Sequence, residues 1–316
     1  MAESLNKILD EIGEDLLAQI ADLHALPTNA YNIRKDGEAL VRNQGANIDI
    51  VAQSDGKPGI EIHVKPGAKK EVCHIPVIMT KTGMTDLVYN DFFIGDDADI
   101  TIVAGCGIHN SGNEKSQHDG IHTFHIGKNA HVKYIEKHYG EKGADATGEC
   151  ILNPVTKVYM DEGSTCEMEM IQLRGVDSTV RETEAVLEAK AKLVIEERLL
   201  THGKQHADSN IKLTMNGDDA SVQVISRSVA QDESVQVFQP LVTGNAACRG
   251  HVQCDAILMG NARVKSVPAI EAACPDAQLF HEAAIGKIGG EQLIKLMTLG
   301  LSEEEAEQQI LDDFLS

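Results

Sequence analysis

The spacing of apolar residues changes period along the chain. Leu5, Ile8, Leu9, Ile12, Leu16, Ile20 and Leu23 recur at intervals of three and four. That is the stripe of an amphipathic helix, with Ser4 as its cap and the Pro27–Asn29 region as its end. The helical period returns at the other terminus. Gly289 and Gly290 precede a helix over 291–299, Gly300 stops it, and Ser302 with Glu305 forms a capping box for a last helix with Ala306, Ile310, Leu311 and Phe314 on its apolar side.

Between these ends the period falls to two. Short alternating runs follow turns rich in Gly, Asn and Asp: IGDDADITIVAG, IGKNAHVKYIEK, MDEGSTCEMEMI, LEAKAKLVIEER, MNGDDASVQVIS, TGNAACRGHVQC and MGNARVKSVPAI. The small residue after each turn marks Ala98, Ala130, Ser164, Ala191, Ala220, Ala247 and Ala262, at steps of 32, 34, 27, 29, 27 and 15. A step near thirty with a half-step of fifteen predicts a stacked β-solenoid with two main strands per coil. A β-sandwich or barrel also alternates, but would not ordinarily keep its turns in phase over seven units. The expected organisation is a helical segment over 1–30, a β-helix over 31–279 and a helical segment over 280–316.

Composition narrows the partners. The 316 residues hold 28 Lys plus Arg against 49 Asp plus Glu, a formal charge of −21 that repels nucleic acid and anionic membrane. The acid-rich first twenty residues do not read as a signal peptide, and no apolar run is long enough to span a bilayer. Seven cysteines without paired spacing fit reduced thiols, so the cytoplasm is the expected compartment. Every Gly-Lys pair lacks the Ser or Thr of a P-loop, and there is no GxSxG, HExxH or Rossmann fingerprint.

Two groups of residues carry chemistry. The stretch CGIHNSGNEKSQHDGIHTFHIG gathers Cys106, His109, His118, His122 and His125, good ligands for zinc or iron and a candidate secondary metal or sulfur site. His122 and His125 are three apart, however, and would face opposite sides of a strand, so a polar loop of internally satisfied histidines is the plain alternative. The second group is Cys254 in HVQCDAILMG with His281 and Glu282, which follow by 27 and 28 residues, close to one coil. A thiol, an imidazole and a carboxylate one rung apart suit iron and sulfur chemistry. Against this, Cys254 is in phase with Val252 and Ala256 and could simply face the core, while His281 and Glu282 as neighbours would face opposite ways.

The runs QCDAILMG and AQLFHEAAIGKIGGEQLIKLMTLGLSEEEA resemble the C-terminal signature of the SufB/SufD family, scaffold proteins of iron–sulfur cluster assembly. The segments AYNIRKDGEALVR and HDGIHTFHIGKNAHVKYIEKHYGE are similar to earlier parts of the same family, so the resemblance runs from about Ala30 to the C-terminus. It implies a right-handed parallel β-helix that pairs through its ends, as a homodimer or with a paralogous scaffold. It also implies a SufC-like ABC-type ATPase partner docked on the C-terminal helical region, here 288–316, and a separate sulfur donor. The cargo would be a transient iron–sulfur cluster, with nucleotide hydrolysis left to the partner. On the family's pattern, Cys254 and Glu282 correspond to residues implicated in building the nascent cluster, and His281 to the histidine of the SufD branch. The family's sulfur-accepting cysteine has no assigned match, leaving Cys106, Cys150 and Cys166 as candidates. Two rivals remain open at this point: a regulator of an ABC ATPase that binds no cluster, and a β-helix enzyme acting on polysaccharide, which 3% aromatics and no Trp disfavour.

Overall fold

A computed structural model describes Leu5 and residues 8–316. Strands alternate between two sheets that face each other across a narrow core, the β-solenoid of about eight turns expected from the repeat. The ten-stranded sheet runs from Glu38–Asn43 at one end to Arg249–Leu258 and finally Gln278–Gly286 at the other. The eleven-stranded sheet includes Thr85–Ile94, Ser116–Ile126, Ser178–Leu187, His206–Met215 and Val235–Gly244. Apart from two antiparallel pairs near the N-terminal end, Ala30–Lys35 with Glu38–Asn43 and Ile48–Ala52 with Gly59–Val64, the ladders are parallel. Alternation then sorts side chains strictly, every second one filling the core and the rest lining the outside. In Ser116–Ile126, for example, the even-numbered residues are all buried.

The turns show why the repeat is legible. Ala98, Ala130, Ser164, Ala191 and Ala220 are fully buried at the corner. The residue before each of them, Asp97, Asn129, Gly163, Lys190 or Asp219, has a positive φ between 53° and 75°. These left-handed residues turn the chain tightly into the next strand. Their amides stack coil on coil, Asp97 N donating to Lys128 O and Asn129 N to Glu162 O. The seventh turn departs from the pattern. In GNAACRG the buried corner residue is Cys248, not the exposed Ala247. The last two full steps are therefore 28 residues, Ser226 to Cys254, and 29 residues, Cys254 to Ala283. The β-region continues to Gly286, so the C-terminal helices begin at Gly290.

The first helix, α1, spans Glu11–Ala21, shorter than the apolar stripe. Asp10 caps it by accepting from Gly13 N at 3.0 Å, and Asp22 ends it at φ 52°. Ser4 lies outside the described residues. Leu16, Leu17 and Ile20 of α1 are buried against Ile33 and Ile78, on the outer side of the ten-stranded sheet. Gly105 and Gly107 permit this approach. A Cβ on Gly105 would stand 2.6 Å from Ile20 O, and one on Gly107 would stand 3.1 Å from a Leu16 methyl. At the other end, α2 (Gly290–Met297) buries no side chain, Gly300 ends that segment at φ 102°, and α3 (Glu303–Leu315) carries the expected capping box. Leu311 and Leu315 of α3 pack on Val229.

The close contact between helix and sheet is testable. Gly105→Ala should destabilise the chain by about 1–3 kcal/mol, because backbone rather than a mobile side chain must move. Gly107→Ala, facing only side-chain atoms, should cost clearly less in the same urea-unfolding measurement.

Candidate functional site

Cys254 lies on the inner face of the last complete rung, between Ser226 on one side and Ala283 on the other. It is 2% exposed. Burial pushes its thiol pKa up, with the Ser266 hydroxyl beside it acting in the opposite direction. The two residues expected to join it are placed differently. His281 pairs with Val252, so it shares the inner face but sits two positions from Cys254 along the strand. Glu282 pairs with Gln253 on the outer face, where its carboxylate lies 3.0 Å from His251 Nε2. Steps of 27 and 28 would have set His281 and Glu282 directly opposite Cys254, and the extra residue in the GNAACRG turn shifts both. Within one chain the structure thus brings Cys254 and His281 to one face and leaves Glu282 on the other. Among the described residues no three His, Cys, Asp or Glu side chains form a metal cage.

What sequence reasoning missed is the interior leading to Cys254. Glu136, Met170, Glu197, Ser226 and Cys254 occupy one register position on five successive rungs. Arg181 reaches in from the opposite sheet, Nη1 donating to Glu136 Oε2 at 2.6 Å with Nε 3.6 Å from Glu197 Oε1. Ser209 and Ser226 both donate to Glu197, at 2.7 and 2.9 Å. His138 sits beside Glu136 and Arg181, and its in-register neighbour on the preceding rung is Cys106. A buried polar row therefore connects the surroundings of Cys106 to Cys254. These positions span five strand spacings, about 24 Å. The signal was in the alternation. Val132, Tyr134, Glu136 and His138 share one phase, as do Leu193, Ile195 and Glu197, so a charged residue falls where the pattern demands an apolar one.

Burial acts on this row in opposing ways. For Glu136, burial would raise the pKa, but His138 and the permanently charged Arg181 outweigh it and hold the carboxyl well below the usual range. The His138 imidazole is pushed down, chiefly by burial. Burial also pushes the Cys106 thiol well up, and the Glu136 and Asp86 charges add to the effect.

The histidine-rich segment divides by face. His118 and His122 point inward along with Cys106, whereas His109 and His125 do not. His118 Nδ1 lies 3.1 Å from Asp86 Oδ2, and Asp86 also pairs with Arg34. His122 Nδ1 donates to the Tyr134 hydroxyl at 2.6 Å, and Tyr134 in turn donates to Glu136. Burial takes the His122 pKa down to about 4. On the outside, His125 joins a stack of rings, His63–Phe93–His125–Tyr159, with centroids 4.8 to 5.3 Å apart. His109 faces Glu141 at 3.5 Å.

Fold and interior together define a β-solenoid with a polar thread ending at cysteines. Comparison with known proteins places it. Residues 77–314 match the family described as SUF system FeS cluster assembly, SufBD core domain. An iron-sulfur cluster assembly SufBD family protein of Methanocaldococcus jannaschii is 31% identical over 262 residues, 82% of this chain and 81% of that one. A namesake from Archaeoglobus fulgidus is 26% identical over 284 residues, 90% of this chain and 73% of its own. A chloroplastic relative from Arabidopsis thaliana is 26% identical over 203 residues, 62% of this chain and 36% of its own. The chain belongs to the SufBD family, and that membership implies a role in iron–sulfur cluster assembly. No helix among the described residues is long and apolar enough to cross a membrane.

The buried row predicts a characteristic pattern of instability. Arg181→Leu strands Glu136 and should cost about 3–5 kcal/mol, while the paired change Glu136→Gln with Arg181→Gln should cost less than the single one. Glu136 and His138 both have folded-state pKa values below their unfolded ones, so the unfolded chain binds more protons. Stability should therefore fall as pH drops below about 6.5 through His138, and fall again below about 4.3 through Glu136. Chemical denaturation across pH 4 to 8 checks this, with His138→Gln flattening the upper part of the slope.

Proposed function

We propose that the chain is a scaffold on which a nascent iron–sulfur cluster is built, with an ABC-type ATPase supplying the driving motion and a second scaffold subunit completing the site. The observation that carries this reading is the position of Cys254 at the end of a buried polar row, in a chain of the SufBD family. Cys106, at the other end of that row, is the cysteine best placed to receive sulfur from a donor. Cys150 lies in a separate apolar cluster beside Leu152 and Val176. Cys166 lies among the solenoid's apolar core residues, where burial pushes its thiol to about 12.

In this reading iron is held by the Cys254 thiolate with Glu282 carboxylate and His281 imidazole. Such a mixed set holds a cluster less firmly than four thiolates, which suits cargo that must leave. Cys254 is closed off at rest, and Glu282 reaches it only when the last strand rearranges. The edge of that strand, Gln278–Gly286, is where a second copy or a paralogous scaffold would join, and the uncovered apolar residues of α2, Ile294, Met297 and Leu299, are where the ATPase would dock. One observation favours the rival reading, a partner of an ABC ATPase that binds no cluster: the three ligands do not meet within a single chain.

Anaerobic reconstitution with iron and sulfide separates the two. The wild type with its ATPase partner should turn brown and retain both elements, and Cys254→Ala and Glu282→Ala should lose most of each. A chain that co-purifies with a Walker A protein yet never retains iron is a regulator. Labelling tests the motion. In the isolated chain only Cys274 is partly exposed, and Cys106 and Cys254 should react with a thiol reagent at least about a hundredfold more slowly. Nucleotide-loaded ATPase should accelerate Cys254 alone among the buried thiols, and an unchanged rate would rule out the opening step.

A further inference from the structure

The inner face of Ser116–Ile126 carries His118, Gly120 and His122 in succession. Gly120 leaves a notch between two imidazoles. A Cβ built on it would lie 3.3 Å from His118 Nε2 and 3.4 Å from His122 Nε2. Asn90, in register with His122 on the preceding rung, borders the same notch, its side-chain amide 3.2 Å from His122 Nε2. Three donors thus surround a space that one absent methyl group keeps open.

Their bonding leaves the inward atoms without partners. Asp86 accepts from His118 Nδ1–H, which fixes the tautomer and puts the lone pair on Nε2. That Nε2 is buried and has no hydrogen-bond partner, and neither does Asn90 Oδ1. His122 donates through Nδ1 to Tyr134, so its Nε2 also presents a lone pair. A carboxylate behind an imidazole whose far nitrogen is free is the usual support of a metal-binding histidine. Half a turn of the Asn90 amide presents Oδ1 to the notch beside His122 Nε2. Adjacent ligands around an ion with bonds of about 2.1 Å are themselves separated by about 3.0–3.4 Å. Closing the histidines around such an ion requires ring rotation about χ2, a soft torsion.

The charges point the same way. The buried charged residues are Asp86, Glu136 and Glu197 against Arg34 and Arg181, so three negative charges face two positive ones and one remains uncompensated. An uncompensated buried charge is costly, and a bound cation offsets it.

We propose that His118 Nε2, His122 Nε2 and Asn90 Oδ1 bind a divalent first-row transition-metal ion in the Gly120 notch, with water completing its coordination. Two nitrogens and an amide oxygen favour an ion of borderline character over calcium or magnesium. The site is distinct from the Cys254 region and does not depend on the assembly reading. Where that reading holds, Fe(II) is the natural occupant, held inside the scaffold away from the position where the cluster forms.

Anaerobic titration of the metal-stripped full chain with Co(II) tests the proposal, each point being equilibrated to constancy because the site is enclosed. One ion should bind per chain, giving visible d–d bands without thiolate-to-cobalt charge transfer, and Fe(II) should displace it. His118→Gln should abolish the bands. Asp86→Asn should weaken binding by about 10–100-fold by removing the carboxylate behind His118. Gly120→Ala keeps every ligand and fills the notch, so it should also abolish binding, and it decides the matter if His118→Gln does not fold. Cys254→Ala and Glu282→Ala should titrate like wild type whatever their effect on cluster reconstitution, so this site and the assembly reading fail separately. Absence of stoichiometric binding, charge-transfer bands that vanish in Cys106→Ala, or wild-type titration of Gly120→Ala would each overturn the assignment.

Discussion

The in-register stacking of parallel rungs is the constraint on which everything else depends. Once a corner residue such as Ala98 or Ala220 sets the start of a strand, alternation decides the face of every following side chain. A neighbouring coil inherits that decision through the ladder, because a slip of one residue would turn a whole apolar row outward. The apolar filling is regular as a result. Phe92 stacks on Phe124 at 4.2 Å and 5°, and Ile, Val and Leu fill the equivalent positions of neighbouring rungs. So uniform an interior makes any polar intrusion conspicuous, and the intrusions here are connected to one another.

That connection has an energetic logic. Five buried charged groups in a narrow core are expensive, and each is held by partners: Arg34 by Asp86, Arg181 by Glu136 and Glu197, and Glu197 by two serines. Apolar residues of the same size would build a more stable solenoid. Stability alone therefore does not explain the row, and chemistry along it does. The raised thiols at Cys106 and Cys254 fit the same logic, since a thiol kept protonated in the core is protected from oxidants until something opens it.

The architecture was legible because its signal repeats. Small corner residues, left-handed turn residues and period-two strands recur often enough that one irregular unit cannot hide them. The capping box at Ser302 was equally plain, because it is local chemistry read from four residues. The site was less legible because it depends on absolute register. In GNAACRG two adjacent alanines precede the true corner residue, Cys248, and the error of one position carried through to His281 and Glu282. The start of α1 was misplaced for a related reason. Leu5 and Leu9 are buried and so belong to the apolar stripe, but the Asp10 cap starts the helix after them. The polar row could be found only once the inner phase of each strand was known, since Glu136 and Glu197 look like ordinary surface acids without it.

The same register explains why the C-terminal end of the solenoid is the part able to change. Glu282 faces away from Cys254 because Gln278–Gly286 pairs with Arg249–Leu258 at a step of 29. At a step of 28, a length the preceding coil already uses, Glu282 would stand directly opposite Cys254 on the inner face. For an internal strand such a slip would break two ladders and empty two layers of core. Gln278–Gly286 is the edge strand, so it has only one ladder to exchange. Its present register also leaves Phe280 63% exposed, and the slip would turn that ring inward with Glu282. An unpaired edge with exposed apolar residues is a surface that proteins ordinarily cover. Covering it with a second subunit and choosing its register are thus coupled, and that coupling gives a partner's movement a direct physical route to the ligands around Cys254.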